Sequence, residues 1–275
     1  MALKPRQINW RPIIIAFLIV FILLHVYFFF ESSESTENYS DFGSRVGDGI
    51  KSANNHEVTK LPNGYSTRTL ETDGFCCFHL DNREEERTKT LASLPPDYEF
   101  LDYEYVIYSA ALSTFHRDVT SSQVLYGCLY PVYTLIVYEY DGDLLSICPA
   151  SDKSWPFVWT RIVNLSGPKG TCVLFNSEML HAGQPNQCRP RFARQYKICH
   201  RDDIKKLVHL QGIRAKKDTE CVDDLSSRMK RKISYYFAFL INHVFYPFLM
   251  QKWDEDTWMG QMQSWLPDHQ FYNNV

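Results

Sequence analysis

The sequence predicts a mainly β protein: a double-stranded β-helix (jelly roll) with flanking helices, preceded by an N-terminal transmembrane helix. Three observations predict it. From Tyr65 onward, short apolar runs rich in Tyr, Phe, Val, Ile and Thr alternate with turn signals, as strands on a partly buried pleated surface do. Few helical patterns separate those runs, which argues for two sheets closed on one core rather than for strand–helix alternation. Ahead of them, Ile13–Phe30 is a run of 18 mostly apolar residues, long enough to cross a bilayer core as a helix.

The N-terminal flank of that run carries Lys4, Arg6 and Arg11, and its C-terminal flank carries Glu31, Glu34, Glu37 and Asp41. By the positive-inside rule residues 1–12 form a cytoplasmic tail and residues 13–30 the anchor. Everything after Phe30 then lies on the lumenal or exoplasmic side, the layout of a single-pass type II protein of the endoplasmic reticulum or Golgi. A cleaved signal peptide is the rival reading. The run exceeds an ordinary signal core, however, and ends in Phe28-Phe29-Phe30-Glu31 with no small-residue cleavage pattern. Residues 31–60 are rich in Ser, Glu, Asn and Gly and bury too little to offset their chain entropy, so they read as a flexible stem. Glycosylation acceptor patterns begin at Asn38 and Asn164, in agreement with a lumenal domain.

Residues 61–203 carry the jelly roll. Phe75–His79, Tyr103–Ser109, Tyr130–Tyr140, Leu144–Cys148, Trp155–Leu165, Thr171–Phe175 and Phe192–Cys199 read as strands. Asp141-Gly142 reads as a hairpin turn, and Gly167-Pro168-Lys169-Gly170 as a second turn. A helix over Arg83–Leu94 covers one face. Residues 204–275 form a C-terminal helical extension. Within it Ile233–Met250 is long and apolar, but Asn242, His243 and Pro247 interrupt it, and Lys230-Arg231-Lys232 would sit on the lumenal flank. A packed or membrane-surface helix fits it better than a second span. None of the eight cysteines forms Cys-x-x-Cys, which argues against a structural zinc site. The adjacent Cys76 and Cys77 point to opposite faces of one strand. A net charge of −3 gives no bulk attraction to nucleic acid.

Chemistry concentrates in Phe115-His116-Arg117-Asp118, in Met179-Leu180-His181, and in the arginines that follow. Two His and one carboxylate on one face are the protein ligands of a non-haem Fe(II) centre that leaves three positions open. The His-x-Asp pattern occurs three times: His116/Asp118, His79/Asp81 and His200/Asp202. On an extended segment i and i+2 share a face, so each copy places both groups together. Only His116/Asp118 has the remaining parts. Gly170 to His181 reads as turn, strand and terminal His, and Arg191 follows ten residues later. An Arg there can hold the far carboxylate of a dicarboxylate co-substrate through two parallel hydrogen bonds.

These residues resemble the iron- and 2-oxoglutarate-dependent dioxygenases, most closely the phytanoyl-CoA dioxygenase-like branch. The matching pieces are Leu70–Phe75, Phe115–Asp118, Leu144–Ser151, Leu174–Asn176, His181–Asn186 and Arg189–Arg191, within roughly 61–203. Two departures stand out: Pro149-Ala150-Ser151-Asp152 where the branch has Gly and then Ser-His, and Gly183 where it has Ser. The resemblance implies Fe(II) held by His116, Asp118 and His181, with 2-oxoglutarate and O2 as co-substrates and ascorbate as an assay companion. It implies hydroxylation of a substrate the sequence does not name, whether a protein side chain, a lipid or a small metabolite. Alignment selects Arg191 for 2-oxoglutarate. Strand alternation favours Arg194 instead, because Phe192, Arg194, Tyr196 and Ile198 form the more core-like face.

Two rival functions remain. Asp141-Gly142-Asp143 resembles the metal-binding D-x-D of type II membrane glycosyltransferases, although Asp-Gly is also common turn chemistry. A non-catalytic jelly-roll binding module is the third reading. It would tolerate the loss of any one iron ligand, whereas here the full set is present.

Overall fold

The structure, a computed structural model, describes residues 15–23, 70–80, 85–110, 113–153, 162–184, 189–218, 225–238 and 241–242. The chain forms two separate units, Met1–Glu37 and Asn38–Val275. In the first, residues 15–23 are helical, with Ile15, Phe17, Leu18, Ile19 and Leu23 exposed. Among the described residues no helix is long and apolar enough to cross a membrane. The remainder of the expected anchor, the tail 1–12 and the stem 31–60 lie outside the described residues.

The second unit is mainly β. Its strands are β1 (Phe75–His79), β2 (Tyr98–Ser109), β3 (Tyr133–Tyr138), β4 (Gly142–Ile147), β5 (Val163–Gly167), β6 (Thr171–Asn176), β7 (His181–Gly183), β8 (Arg191–His200) and β9 (Gly212–Asp218). They build a six-stranded sheet of order β1-β6-β3-β8-β2-β9 and a three-stranded sheet of order β5-β4-β7. All neighbours are antiparallel except β2 and β9. Two facing sheets with few helices are the arrangement expected of a jelly roll.

Alternation along the strands explains the layers. Phe75, Ile136, Tyr138, Val173, Phe175 and Ala193 point inward from the larger sheet and pack against Leu145, Ile147, Val163 and Leu165 of the smaller one. Fully burying a side chain of this kind stabilises the fold by about 1.5–3 kcal/mol. The opposite face of the larger sheet is also apolar. Tyr133, Leu135, Val137, Cys172, Leu174, Tyr196 and Ile198 cluster there with Leu91 of helix α1 (Glu86–Ala92) and with Leu94. Cys76 packs on this outer side and Cys77 on the inner, as alternation predicted. Helix α2 (Leu225–Tyr236) contributes Tyr235, which packs with Phe115, Cys148, Leu180 and Ala182.

Two expectations change. Asp141-Gly142 is not a hairpin turn: β3 and β4 belong to different sheets, so the dipeptide carries the chain from one sheet to the other. Gly142, at φ +124°, takes the bend a side chain would resist. The region after residue 203 is not purely helical, since β9 first adds a parallel strand to the edge of the larger sheet. Of Trp155–Leu165, Val163–Leu165 lies in β5, and residues 154–161 lie outside the described set.

Candidate metal centre

His116 and His181 are brought side by side by the backbone. His116 N–H donates to His181 O at 2.9 Å and His181 N–H donates to His116 O at 3.0 Å, an antiparallel pair that sets the two side chains on one face. The ring centroids lie 4.5 Å apart. Asp118 joins them because the segment from Phe115 stays extended and then turns. Its N–H bonds Ser177 O at 2.9 Å, and its carbonyl accepts from Ser121 at the start of a 3-10 turn.

Tautomer is fixed by local geometry. His116 Nδ1 lies 2.9 Å from Thr114 O and His181 Nδ1 lies 3.0 Å from Met179 O. A carbonyl can only accept, so each Nδ1 carries the proton and each Nε2 presents a lone pair. Those Nε2 atoms sit 3.9 Å and 3.7 Å from Asp118 Oδ1. Ligand atoms of all three residues lie within 4.8 Å of one another. Burial pushes the His181 imidazole down from 6.5 to about 4 against the pull of Asp118, so it is a neutral donor at neutral pH. Burial alone would raise the Asp118 carboxyl. The Lys197 ammonium, followed by the two imidazoles, overcomes it and keeps the group ionised well below the usual carboxylate range. Two imidazole Nε2 atoms and one carboxylate oxygen, brought together on one face, fit a divalent first-row metal.

Neighbouring residues lock this arrangement. Buried Lys197, on β8, reaches Asp118 Oδ2 at 2.6 Å and Thr134 Oγ1 at 2.8 Å. Arg117, between the two ligands, is buried on the other side and donates to Glu178 O, while Glu178 accepts from Ser122. The ligand segment is thereby tied to the turn that leads into His181. From α2, Arg231 donates to Ser113 O, to Gly183 O at 3.0 Å and to Ser146 Oγ at 3.0 Å, with its guanidinium 4.5 Å from the Phe115 ring centroid.

The two arginines separate by strand face. Arg191 lies on the inner face of β8 with Ala193, Gln195 and Lys197. Its guanidinium rests on Gly183, two residues past His181, and donates to Gln184 O at 3.2 Å. A Cβ at Gly183 would collide with that guanidinium, which is a physical reason for Gly where Ser was expected. Burial lowers the Arg191 pKa, and the nearby Tyr140 and Tyr138 phenols oppose the shift. Arg194 lies on the other face and pairs with Glu104 at 3.3 Å and Glu139 at 3.5 Å.

Among the described residues the other two His-x-Asp copies lie outside this cluster. His79 ends β1, paired with Thr171 and packed on Gly170; Asp81 lies outside the described residues. His200 Nδ1 accepts from Asp202 N–H at the start of a 3-10 turn, and its ring stacks on Tyr130 at 3.9 Å. Asp141 Oδ1 accepts from Lys169 N–H at 2.7 Å in an exposed loop. Among the described residues the metal-competent cluster is His116, Asp118 and His181, and neither Asp141 nor Asp143 belongs to it.

Sequence reasoning missed Lys197, Thr134, Arg117 and Arg231. Lys197 had a signal: Arg191, Gln195 and Lys197 recur at every second or fourth position of one strand, a polar stripe that faces a site as readily as it faces solvent.

No protein-family model matches the chain, and no curated protein matches it in sequence. Solved structures do. The non-heme alpha ketoglutarate dependent epimerase SnoN from nogalamycin biosynthesis is 14% identical over 48% of this chain and 79% of its own, with a TM-score of 0.33. The non-heme alpha ketoglutarate dependent carbocyclase SnoK of the same biosynthesis is 13% identical over 50% and 84%, at 0.35. HygX from Streptomyces hygroscopicus, solved with nickel and 2-oxoglutarate, is 10% identical over 52% and 88%, at 0.35. What this chain binds is therefore argued from its own donor atoms.

Proposed function

We propose that this protein is an Fe(II)- and 2-oxoglutarate-dependent oxygenase, a hydroxylase in its simplest form. One observation carries the reading: two Nε2 lone pairs and one carboxylate oxygen converge on one point, with both imidazole tautomers fixed by backbone carbonyls. His116, Asp118 and His181 hold the metal, and Arg191 holds the distal carboxylate of 2-oxoglutarate. Iron so held supplies oxidation of the substrate by O2, coupled to decarboxylation of 2-oxoglutarate to succinate.

The chain's own residues orient and exclude. Phe175, fully buried and 4.5 Å from the His181 ring, closes the inner side of the site to water. Arg191 and Gly183 form the wall along which the co-substrate extends. His116 is the most exposed of the three ligands, 16% against 3% for His181 and 8% for Asp118. Substrate approaches from that side. The phytanoyl-CoA dioxygenase-like motifs agree with this assignment.

The test is a succinate-release and O2-consumption assay of the protein with Fe(II), ascorbate and 2-oxoglutarate. Turnover without added substrate, lost on chelation of the metal, is expected, and its complete absence with metal bound refutes the reading.

We further propose that Ile13–Phe30 anchors the protein as a type II membrane protein with its catalytic unit on the lumenal side of the endoplasmic reticulum or Golgi. The substrate is then a protein side chain, a lipid or a small metabolite met there. Lys4, Arg6 and Arg11 set against the acidic stem support this orientation. In sealed microsomes the catalytic unit should resist added protease until detergent is present. Digestion without detergent reverses the orientation.

A further inference from the structure

Building on the iron reading, we propose that Lys197 is a positioning residue that restricts Asp118 to one metal-binding oxygen and thereby keeps three coordination positions open. The carboxylate has two chemically equivalent oxygens, and the fold treats them differently. Oδ2 accepts from Lys197 Nζ at 2.6 Å and from Thr134 Oγ1 at 2.5 Å, and Thr134 is itself 3.0 Å from Ser177 Oγ. Oδ1 faces the two Nε2 atoms. A carboxylate oxygen offers two lone-pair directions, so two donors on Oδ2 fill it and leave Oδ1 as the ligand.

This matters because of the position count. Two His and a one-oxygen Asp occupy three of six places, leaving room for a bidentate 2-oxo acid and O2. A two-oxygen Asp would take a fourth place and leave too few. Lys197 is 1% exposed, so its ammonium is held in a low-dielectric setting next to the carboxylate. There it neutralises Asp118 in the metal-free protein. It also repels an incoming dication across the same carboxylate. Lys197 therefore weakens metal binding while preserving the open face. That combination separates it from a residue that merely supports the fold, whose loss weakens everything together.

The experiment uses the full chain with Lys197→Met and Lys197→Gln, the second keeping a hydrogen-bond donor without the charge. Mn(II) and Co(II) are titrated, 2-oxoglutarate binding is measured on the Mn(II)-loaded protein, and the Co(II) absorption spectrum is recorded. Both variants should bind Mn(II) more tightly, on the order of ten-fold. Lys197→Met should bind 2-oxoglutarate at least about ten-fold more weakly and show a changed Co(II) spectrum, whereas Lys197→Gln, which keeps a donor to Oδ2, should stay near wild type in both. A folded variant that binds Mn(II) no more tightly than wild type, with an unchanged Co(II) spectrum, overturns the proposal. A measurement on the wild-type chain needs no variant. The splitting of the aspartate carboxylate stretches on metal loading is wide for one-oxygen ligation and narrow for two, and a narrow splitting overturns the proposal. A wild-type chain that binds neither ion defeats the iron reading itself. Metal binding with unaltered Lys197 variants defeats only the role of Lys197.

Discussion

Replacing Arg191 with Ala tests the proposed co-substrate site most directly. The guanidinium is buried at 6% exposure, pressed on Gly183 and hydrogen-bonded to Gln184 O. At an effective dielectric of about 20, a guanidinium and a carboxylate roughly 4 Å apart attract by about 4 kcal/mol. Removing one member of a desolvated charge pair costs about 2–5 kcal/mol, since the other charge stays buried. The 2-oxoglutarate dissociation constant should therefore rise by roughly thirty-fold to several thousand-fold. Binding of Mn(II) should stay within about three-fold, because a guanidinium has no lone pair to offer a metal and Arg191 is not a ligand. Arg194→Ala is the control. Its ion pairs with Glu104 and Glu139 lie on the opposite strand face and are partly exposed, so its loss costs at most about 1 kcal/mol of stability and leaves 2-oxoglutarate binding unchanged. Calorimetric titration of 2-oxoglutarate into the Mn(II)-loaded protein reads both variants. A larger loss from Arg194→Ala, or an unchanged constant for Arg191→Ala, would refute this assignment.

His116→Ala or His181→Ala should abolish Mn(II) binding and succinate release, while His79→Ala and His200→Ala retain both; equal loss from His79→Ala would move the site elsewhere. Gly183→Ala should displace the Arg191 guanidinium and weaken 2-oxoglutarate binding by at least about ten-fold with metal affinity unchanged, read by the same titration. An unchanged constant would mean that Arg191 accommodates the methyl without moving from the co-substrate. The pH dependence of stability follows from His181, whose pKa falls from 6.5 unfolded to about 4 folded. Between those values the unfolded chain binds the extra proton, so the metal-free protein loses stability as pH falls from about 6.5 toward 4, by on the order of 3 kcal/mol. Chemical denaturation of His181→Phe alongside wild type isolates this contribution, and parallel pH profiles for the two would rule it out.

Sequence alone singled out the trio His116, Asp118 and His181 that the fold brings together, because its logic is local. His-x-Asp on an extended segment shares a face whatever the fold, and a strand ending in His followed by Arg191 supplies the other parts. Alternation likewise placed Cys76 and Cys77 on opposite faces of β1. The face of β8 was a different matter. Tyr196 and Ile198 make one face look like the core, yet they pack outward beneath α1, while the polar Arg191, Gln195 and Lys197 point inward to the site. Alternation divides a strand into two faces, but both faces of this sheet are covered, so hydrophobicity could not tell which one meets His116, Asp118 and His181. Only the tertiary structure decided that. It also joined Lys197 and Thr134 to Asp118, and brought Arg231 from α2 against the strand of His181. Those partners lie far apart in sequence and meet only when two sheets and a helix close around one point.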